Sequence, residues 1–136
     1  MAEQARHAPR PLSPHMQIYR WPVTMATSIL HRATGLALAA GTLLVAWWLI
    51  AAASGPASYH LFSLVARNPA GQVVLFGFVW SLTFHLLNGI RHLAWDCGFG
   101  FDVATANRTG VGAAALSFLL AVAIFAYAYA QRGLQI

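Results

Sequence analysis

The sequence predicts an all-α integral membrane protein with three transmembrane helices and its N-terminus on the cytoplasmic side. Composition is the first reason: 59% of the residues are hydrophobic and 8% are charged, whereas about a quarter are charged in soluble domains. The second is length. Gly35–Ala53, Val73–Trp95 and Val111–Ala130 are apolar runs, and at about 1.5 Å rise per residue each can cross a hydrocarbon core of about 30 Å. The third is charge placement. All eight basic residues are arginines, and with the N-terminus inside, Arg6, Arg10, Arg20, Arg32, Arg91 and Arg108 are cytoplasmic while only Arg67 and Arg132 lie outside. That asymmetry sets the orientation by the positive-inside rule.

Residues 1–23 read as a cytoplasmic or interfacial segment. Pro9, Pro11, Pro14 and Pro22 each lack an N–H and restrict the residue before them, so no long helix forms there. Ile18, Tyr19 and Trp21 suit the headgroup layer. A cleaved signal peptide is not expected, because the first apolar run is too long for an h-region, and Glu3 in a short leader argues against a transit peptide.

Residues 24–130 read as the anchor domain. Its first helix covers about 24–53, with Thr24 or Thr27 as a cap, Trp47 and Trp48 at its outer end, and Ser54-Gly55-Pro56 as its stop. A periplasmic loop through Asn68-Pro69 carries a short surface helix around Tyr59–Ala66. The second helix covers about 72–96 and stops at Asp96-Cys97-Gly98, where Gly98 and Gly100 suit a left-handed cap. A short cytoplasmic loop through Asn107-Arg108 leads to the third helix, about 109–131, and residues 131–136 form a periplasmic tail. The single cysteine, Cys97, has no partner for an internal disulfide and faces a reducing cytoplasm.

The net charge of +5 does not point to nucleic acid, since the arginines neither cluster nor alternate with aromatics in a soluble segment. Three isolated spans expose more apolar surface than they bury against one another, so lipid bilayer or partner subunits must cover them. The second span is interrupted by polar residues on one face: His85, Asn88, Gly89, His92 and Asp96 fall at i, i+3, i+4, i+7 and i+11. On the first helix Ser28, His31, Arg32 and Gly35 fall at i, i+3, i+4 and i+7. The two helices run in opposite directions, so both clusters lie in the cytoplasmic half and can meet. Beyond His85 towards the outside only Thr83, Ser81 and Gln72 are polar, which describes a one-sided pocket rather than a pore.

Each of these residues carries two readings. His85, about two turns deeper than Arg91-His92 and followed by Gly89, which would admit a planar group, is a haem-iron ligand or a helix-bridging histidine. His31, Arg32, Arg91 and His92 are cationic partners for haem propionates, or the arginines snorkel to headgroups as topology anchors. Ser28 and Arg32 offer a hydroxyl and a guanidinium to quinone carbonyls, or Ser28 is a cap or a back-bonded helix serine. Asp96 is a proton relay, or closes the helix end on Arg91 or Arg32. An acid at a helix C-terminus opposes the macrodipole and so calls for a cationic or hydrogen-bonding partner.

Two runs then carry a resemblance. Arg10-Pro11-Leu12-Ser13-Pro14-His15 followed by Ser28-Ile29-Leu30-His31-Arg32-Ala33-Thr34-Gly35, and His85-Leu86-Leu87-Asn88-Gly89-Ile90-Arg91-His92-Leu93-Ala94-Trp95-Asp96-Cys97-Gly98, resemble the two signatures of the cytochrome b556 subunits of succinate dehydrogenase, the larger membrane anchors of respiratory complex II. The resemblance implies a bacterial inner-membrane subunit of a succinate:ubiquinone oxidoreductase with no catalytic residue of its own. It also implies a haem b held axially by His85 and by a histidine of a second small anchor subunit. It places His31, Arg32 and His92 near the propionates and Ser28 and Arg32 at the ubiquinone pocket, and leaves Arg91 and Asp96 as proton-path or structural residues. The flavoprotein and iron–sulfur subunits would be the soluble partners, since this sequence holds neither a flavin fingerprint nor a cysteine cluster. A menaquinone-using fumarate reductase anchor and a cofactor-free structural anchor are the competing expectations.

Overall fold

The computed structural model describes residues 19–133, and the readings that fall on residues 1–18 and 134–136 lie outside it. It contains four helices and no strand among the described residues: α1 Val23–Ala53, α2 Pro56–Arg67, α3 Pro69–Asp96 and α4 Val103–Gly133. Helices α1, α3 and α4 are long and apolar enough to span a membrane. The chain is therefore a multi-pass membrane protein, and α2 is the short helix expected between the first two spans, longer than anticipated.

The element ends follow from local chemistry. Helix α1 begins after Pro22 with no side-chain cap. Neither Thr24 nor Thr27 caps it: the Thr27 hydroxyl turns back onto the Thr24 carbonyl at 3.1 Å. Gly55, at φ 103°, turns the chain into α2, whose first residue is Pro56. Asn68 alone separates α2 from α3, and its side chain accepts the Ala70 N–H at 3.0 Å, so α3 starts three residues earlier than residue 72. At the other end of α3, Phe99 N–H reaches the Ala94 carbonyl at 2.9 Å and Gly98 N–H the Trp95 carbonyl at 2.8 Å. This paired closure needs Gly98 in the left-handed region, at φ 87°.

The start of α4 is a correction. Asn107 and Arg108 are not in a loop; they lie in the second turn of α4, because Asp102 accepts the Thr105 N–H at 2.8 Å and caps a helix that begins at Val103. The Thr105 hydroxyl and amide, which favour the charged form, hold the Asp102 carboxyl below the usual carboxylate range.

Packing uses small and polar residues, as helix contact inside lipid requires. Along the α1–α3 seam, Gly41 sits on Phe78, Gly35 on His85, and Thr27 on Asn88, so each step towards the end of α1 is a step towards the start of α3. The same antiparallel progression joins α3 to α4 through Gln72 with Tyr129, Phe76 with Phe125, Thr83 with Ser117 and Arg91 with Ala106. Helix α4 offers Ala106, Gly110, Ala113, Ser117 and Ala121, spaced three or four apart and all buried, to this interface. A Cβ on Gly110 would sit 3.3–3.4 Å from Arg91, Val23 and Thr27, so all three long helices converge there.

Only 11%, 22% and 17% of the most apolar stretches of α1, α3 and α4 are buried within the chain. The expectation of lipid or partner cover over most of the surface therefore stands on observed exposure.

The tightest seam contact generates a prediction. A Cβ on Gly41 would lie 2.1 Å from the Phe78 ring, so Gly41→Val overpacks the α1–α3 interface at a cost of about 1–3 kcal/mol. Thermal melting of the purified protein should show a lowered midpoint, and adding Phe78→Ala should recover part of the loss.

Candidate functional site

At the end of the bundle where α1 begins and α3 stops, three histidines from two helices come together. The His31 and His85 rings stack with centroids 4.0 Å apart and planes 11° apart, and the His92 ring lies 5.2 Å from His31. Gly35, one turn beyond His31, packs closely on the stack: a Cβ there would be 3.1 Å from His85 Cε1. The sequence assigned Gly89 a different part, room for a planar group to approach the helix, and a Cβ on Gly89 would meet nothing among the described residues.

His85 is oriented by α1. Its Nδ1 lies 3.2 Å from the His31 carbonyl and 3.4 Å from the Thr34 hydroxyl oxygen. A carbonyl only accepts, so in the neutral ring this contact puts the proton on Nδ1 and leaves Nε2 with its lone pair. The Thr34 hydroxyl donates to the Leu30 carbonyl at 2.8 Å or the His31 carbonyl at 3.0 Å, which frees its lone pairs to face the same Nδ1–H. Thr34 is 5% exposed, so water does not compete for the contact. His31 Nδ1 is itself buried and has no hydrogen-bond partner among the described residues, a condition that calls for a further polar group.

Arg91 has a different place. Its guanidinium donates to the Thr109 hydroxyl at 3.2 Å, to the Ala106 carbonyl at 3.0 Å and to the Asn88 amide oxygen, and lies 4.8 Å over the Trp95 ring. The Asn88 amide nitrogen donates in turn to the Thr27 carbonyl at 3.2 Å. Arg91 and Asn88 thus tie α1, α3 and α4 together.

Ser28 is half-buried and Arg32 exposed, one turn apart on α1. Neither makes a hydrogen bond among the described residues. Ser28 is thereby unlike Thr27, Thr34, Thr83 and Ser117, whose hydroxyls all turn back onto helix carbonyls, and the back-bonded alternative does not apply to it. His92 is exposed and meets Trp95 edge-on at 4.9 Å. Asp96 is exposed at the last residue of α3 and forms no ion pair with Arg91 or Arg32. The glycine closure already satisfies the helix end and Arg91 is committed to α4. No cluster of three or more His, Cys, Asp or Glu able to hold a bare metal ion exists among the described residues.

A sequence model for the succinate dehydrogenase/fumarate reductase transmembrane subunit matches residues 6–124. The chain belongs to the succinate dehydrogenase/fumarate reductase transmembrane subunit family. Among its relatives, the succinate dehydrogenase cytochrome b556 subunit of Paracoccus denitrificans is 45% identical over 100 residues, covering 74% of this chain and 77% of that one. The cytochrome b556 subunit of Rickettsia typhi is 40% identical over 101 residues, or 74% and 78% of the two chains. The mitochondrial cytochrome b560 subunit of Sus scrofa is 44% identical over 108 residues, or 75% and 62%. The resemblance read from the two motifs is thereby established for the family, and the chain is a transmembrane anchor subunit of that class of oxidoreductase.

For this anchor subunit, the parts that sequence reasoning did not assign are Thr34, Gly35, Asn88 and the α4 partners of Arg91. Thr34 and Gly35 follow His31 at i+3 and i+4, so helical spacing alone could have placed them against the histidine they serve. The Asn88–Arg91 bridge ends on the Ala106 carbonyl, which no side-chain pattern announces.

Asn88 is 1% exposed, and truncating it leaves an Arg91 N–H without its acceptor inside the bundle, a loss of about 1–3 kcal/mol. Asn88→Ala should lower the melting midpoint of the purified anchor, and Arg91→Lys should lower it less, because an ammonium keeps one of the carbonyl or hydroxyl contacts but not the fork.

Proposed function

We propose that this chain is the membrane-anchor cytochrome b subunit of a succinate:ubiquinone oxidoreductase in a bacterial inner membrane, N-terminus cytoplasmic, and that His85 supplies one axial ligand to a haem b shared with a second small anchor subunit. The observation that carries the reading is the pinned His85 ring. With its Nδ1–H committed to the His31 carbonyl, Nε2 keeps the lone pair an iron ligand needs, and iron- and zinc-bound imidazoles are commonly held by such a second hydrogen bond. The buried, unpartnered His31 Nδ1 fits the same group: a haem propionate oxygen is an acceptor of the missing kind. Arg32 and His92, exposed at the same end, supply the further cationic and N–H partners. When bound, the haem would add a one-electron redox centre beside the quinone pocket.

The Ser28 hydroxyl and the Arg32 guanidinium bind ubiquinone in this reading. They donate to its carbonyl oxygens, orient the ring at the cytoplasmic edge of the membrane, and stabilise negative charge that builds on those oxygens as electrons arrive. Succinate is oxidised on the flavoprotein subunit, and the iron–sulfur subunit passes two electrons to the quinone, which takes up two protons. Asp96, exposed beside this edge, is placed to exchange protons with the cytoplasm, while Arg91 is structural. Relatives at 40–45% identity carry succinate dehydrogenase names, which supports succinate oxidation over fumarate reduction with menaquinone.

The complex purified with His85→Ala should lose or shift its reduced b-type α-band, whereas Ser28→Ala should keep the band and lose ubiquinone reduction by tenfold or more. An unchanged spectrum in His85→Ala would leave a cofactor-free anchor as the better reading. Thr34→Val removes one of two acceptors facing His85 Nδ1 and makes the imidazole a weaker donor. Redox titration should show the haem retained with its midpoint moved positive by less than about 60 mV, the equivalent of tenfold for a one-electron couple.

A further inference from the structure

At the opposite end of the bundle, α2 folds back beside the tops of α1 and α3 and leaves a cleft of about 720 Å³, within the range of about 300–1,000 Å³ typical of small-ligand sites. We propose that this cleft is a binding site for one anionic phospholipid, with the acyl chain in the slot and the phosphate on Arg67. The inference stands apart from the haem and quinone reading.

The shape is the first argument. The cleft reaches from Arg67, at the last turn of α2, down to Leu44 and Phe78. Leu44 lies nine residues before the end of α1 and Phe78 nine residues after the start of α3, so at 1.5 Å per residue the slot runs about 14 Å into the apolar layer. Its deep part is hydrocarbon and its walls carry Trp48. Tyr59, Ser63 and Arg67 supply the polar groups of its lining, at the level where aromatic and cationic side chains meet headgroups. A ligand that is apolar along its length and polar at one end fits that gradient.

The cleft is also built rather than left by slack packing. A Cβ on Gly71 would lie 2.1 Å from the Val65 carbonyl oxygen, so α2 and α3 meet as closely as a glycine permits. The Gln72 amide nitrogen donates to the Ala66 carbonyl, and Gln72 Oε1 accepts from Tyr129 at 2.9 Å. The Trp47 and Phe62 rings meet edge to face at 5.0 Å across α1 and α2. The corner is fixed from four helices while the slot beside it stays open.

Charge identifies the ligand. The sequence has three acids, Glu3, Asp96 and Asp102; Asp96 and Asp102 stand at the far end of the bundle, and Glu3 lies outside the described residues. Arg67 is exposed and has neither an ion pair nor a hydrogen bond among the described residues. A cation beside an apolar slot at the membrane surface attracts an anion that brings its own hydrocarbon, which is an anionic phospholipid. A quinone has the hydrocarbon but not the charge.

The test is lipid analysis of the complex purified through this chain in mild detergent and washed free of annular lipid. About one equivalent of anionic phospholipid per anchor is expected to remain. It should fall at least fivefold in Arg67→Gln and in Ser63→Trp, which fills the slot, and be retained in Arg67→Lys and in Arg108→Gln at the far end. Unchanged haem absorbance and melting midpoint in Arg67→Gln would show that the loss is not unfolding. Equal retention in Arg67→Gln and wild type overturns the proposal, as does recovery of quinone instead of phospholipid, or cross-linking from Trp48 that finds the slot filled by a partner subunit.

Discussion

A primary amide at 1% exposure inside a membrane bundle must satisfy both of its ends, because no water is present to do so and each unpaired group costs several kcal/mol. Asn88 meets that demand by joining the Thr27 carbonyl on α1 to the Arg91 guanidinium, which continues to Ala106 and Thr109 on α4. The hydrophobic effect cannot choose among apolar helix faces already surrounded by hydrocarbon, so directional bonds of this kind have to. Sliding any one helix by a turn would strand an amide or a guanidinium in a low-dielectric medium. The node therefore fixes the register of α1 on α3 and of α4 on α3 at once.

Register is what gives His85 its surroundings. Once Asn88 meets Thr27, His85, one turn earlier on α3, falls opposite His31, Thr34 and Gly35, and the ring stacks on His31 with Gly35 leaving it room. The His31 carbonyl, already part of the helix ladder, has a second lone pair to accept Nδ1–H. A stability feature and the geometry of the candidate ligand are thus two consequences of one antiparallel pairing. Arg91, which spacing alone left between propionate partner and structural residue, is drawn off to the first of these tasks, leaving Arg32 and His92 facing outward for the second.

How legible this was in the sequence depended on whether a residue's partner lay on a helix face or on the backbone. The three spans followed from apolar length, the α3 stop from Gly98, and the meeting of His31 with His85 from two polar stripes on antiparallel helices. The start of α4 did not follow, because Asn107-Arg108 looks like loop chemistry until Asp102 is seen to cap a helix that begins at Val103. That a ring lies against Gly35 shows only in the crossing of the helices, because glycine type alone says nothing of what faces it. Asp96 was expected to have a cationic or hydrogen-bonding partner, but it is exposed at the end of α3 and has neither among the described residues.

The two ends of the bundle are finished to different degrees. Near the start of α1 polar groups are paired in chains that cross three helices, yet they stop at His31 Nδ1, and Ser28 and Arg32 are left without a partner among the described residues. In a medium where unpaired polar groups are expensive, a group of them left open together calls for completion by something outside the chain. The same holds for the spans, whose apolar faces are mostly uncovered. On the proposed reading a haem shared with a second anchor subunit answers both needs together, since it brings acceptors to the histidines and draws a second set of helices against the first. Assembly and cofactor binding would then be one equilibrium, and a chain that cannot complete its polar site should also be a chain that assembles poorly.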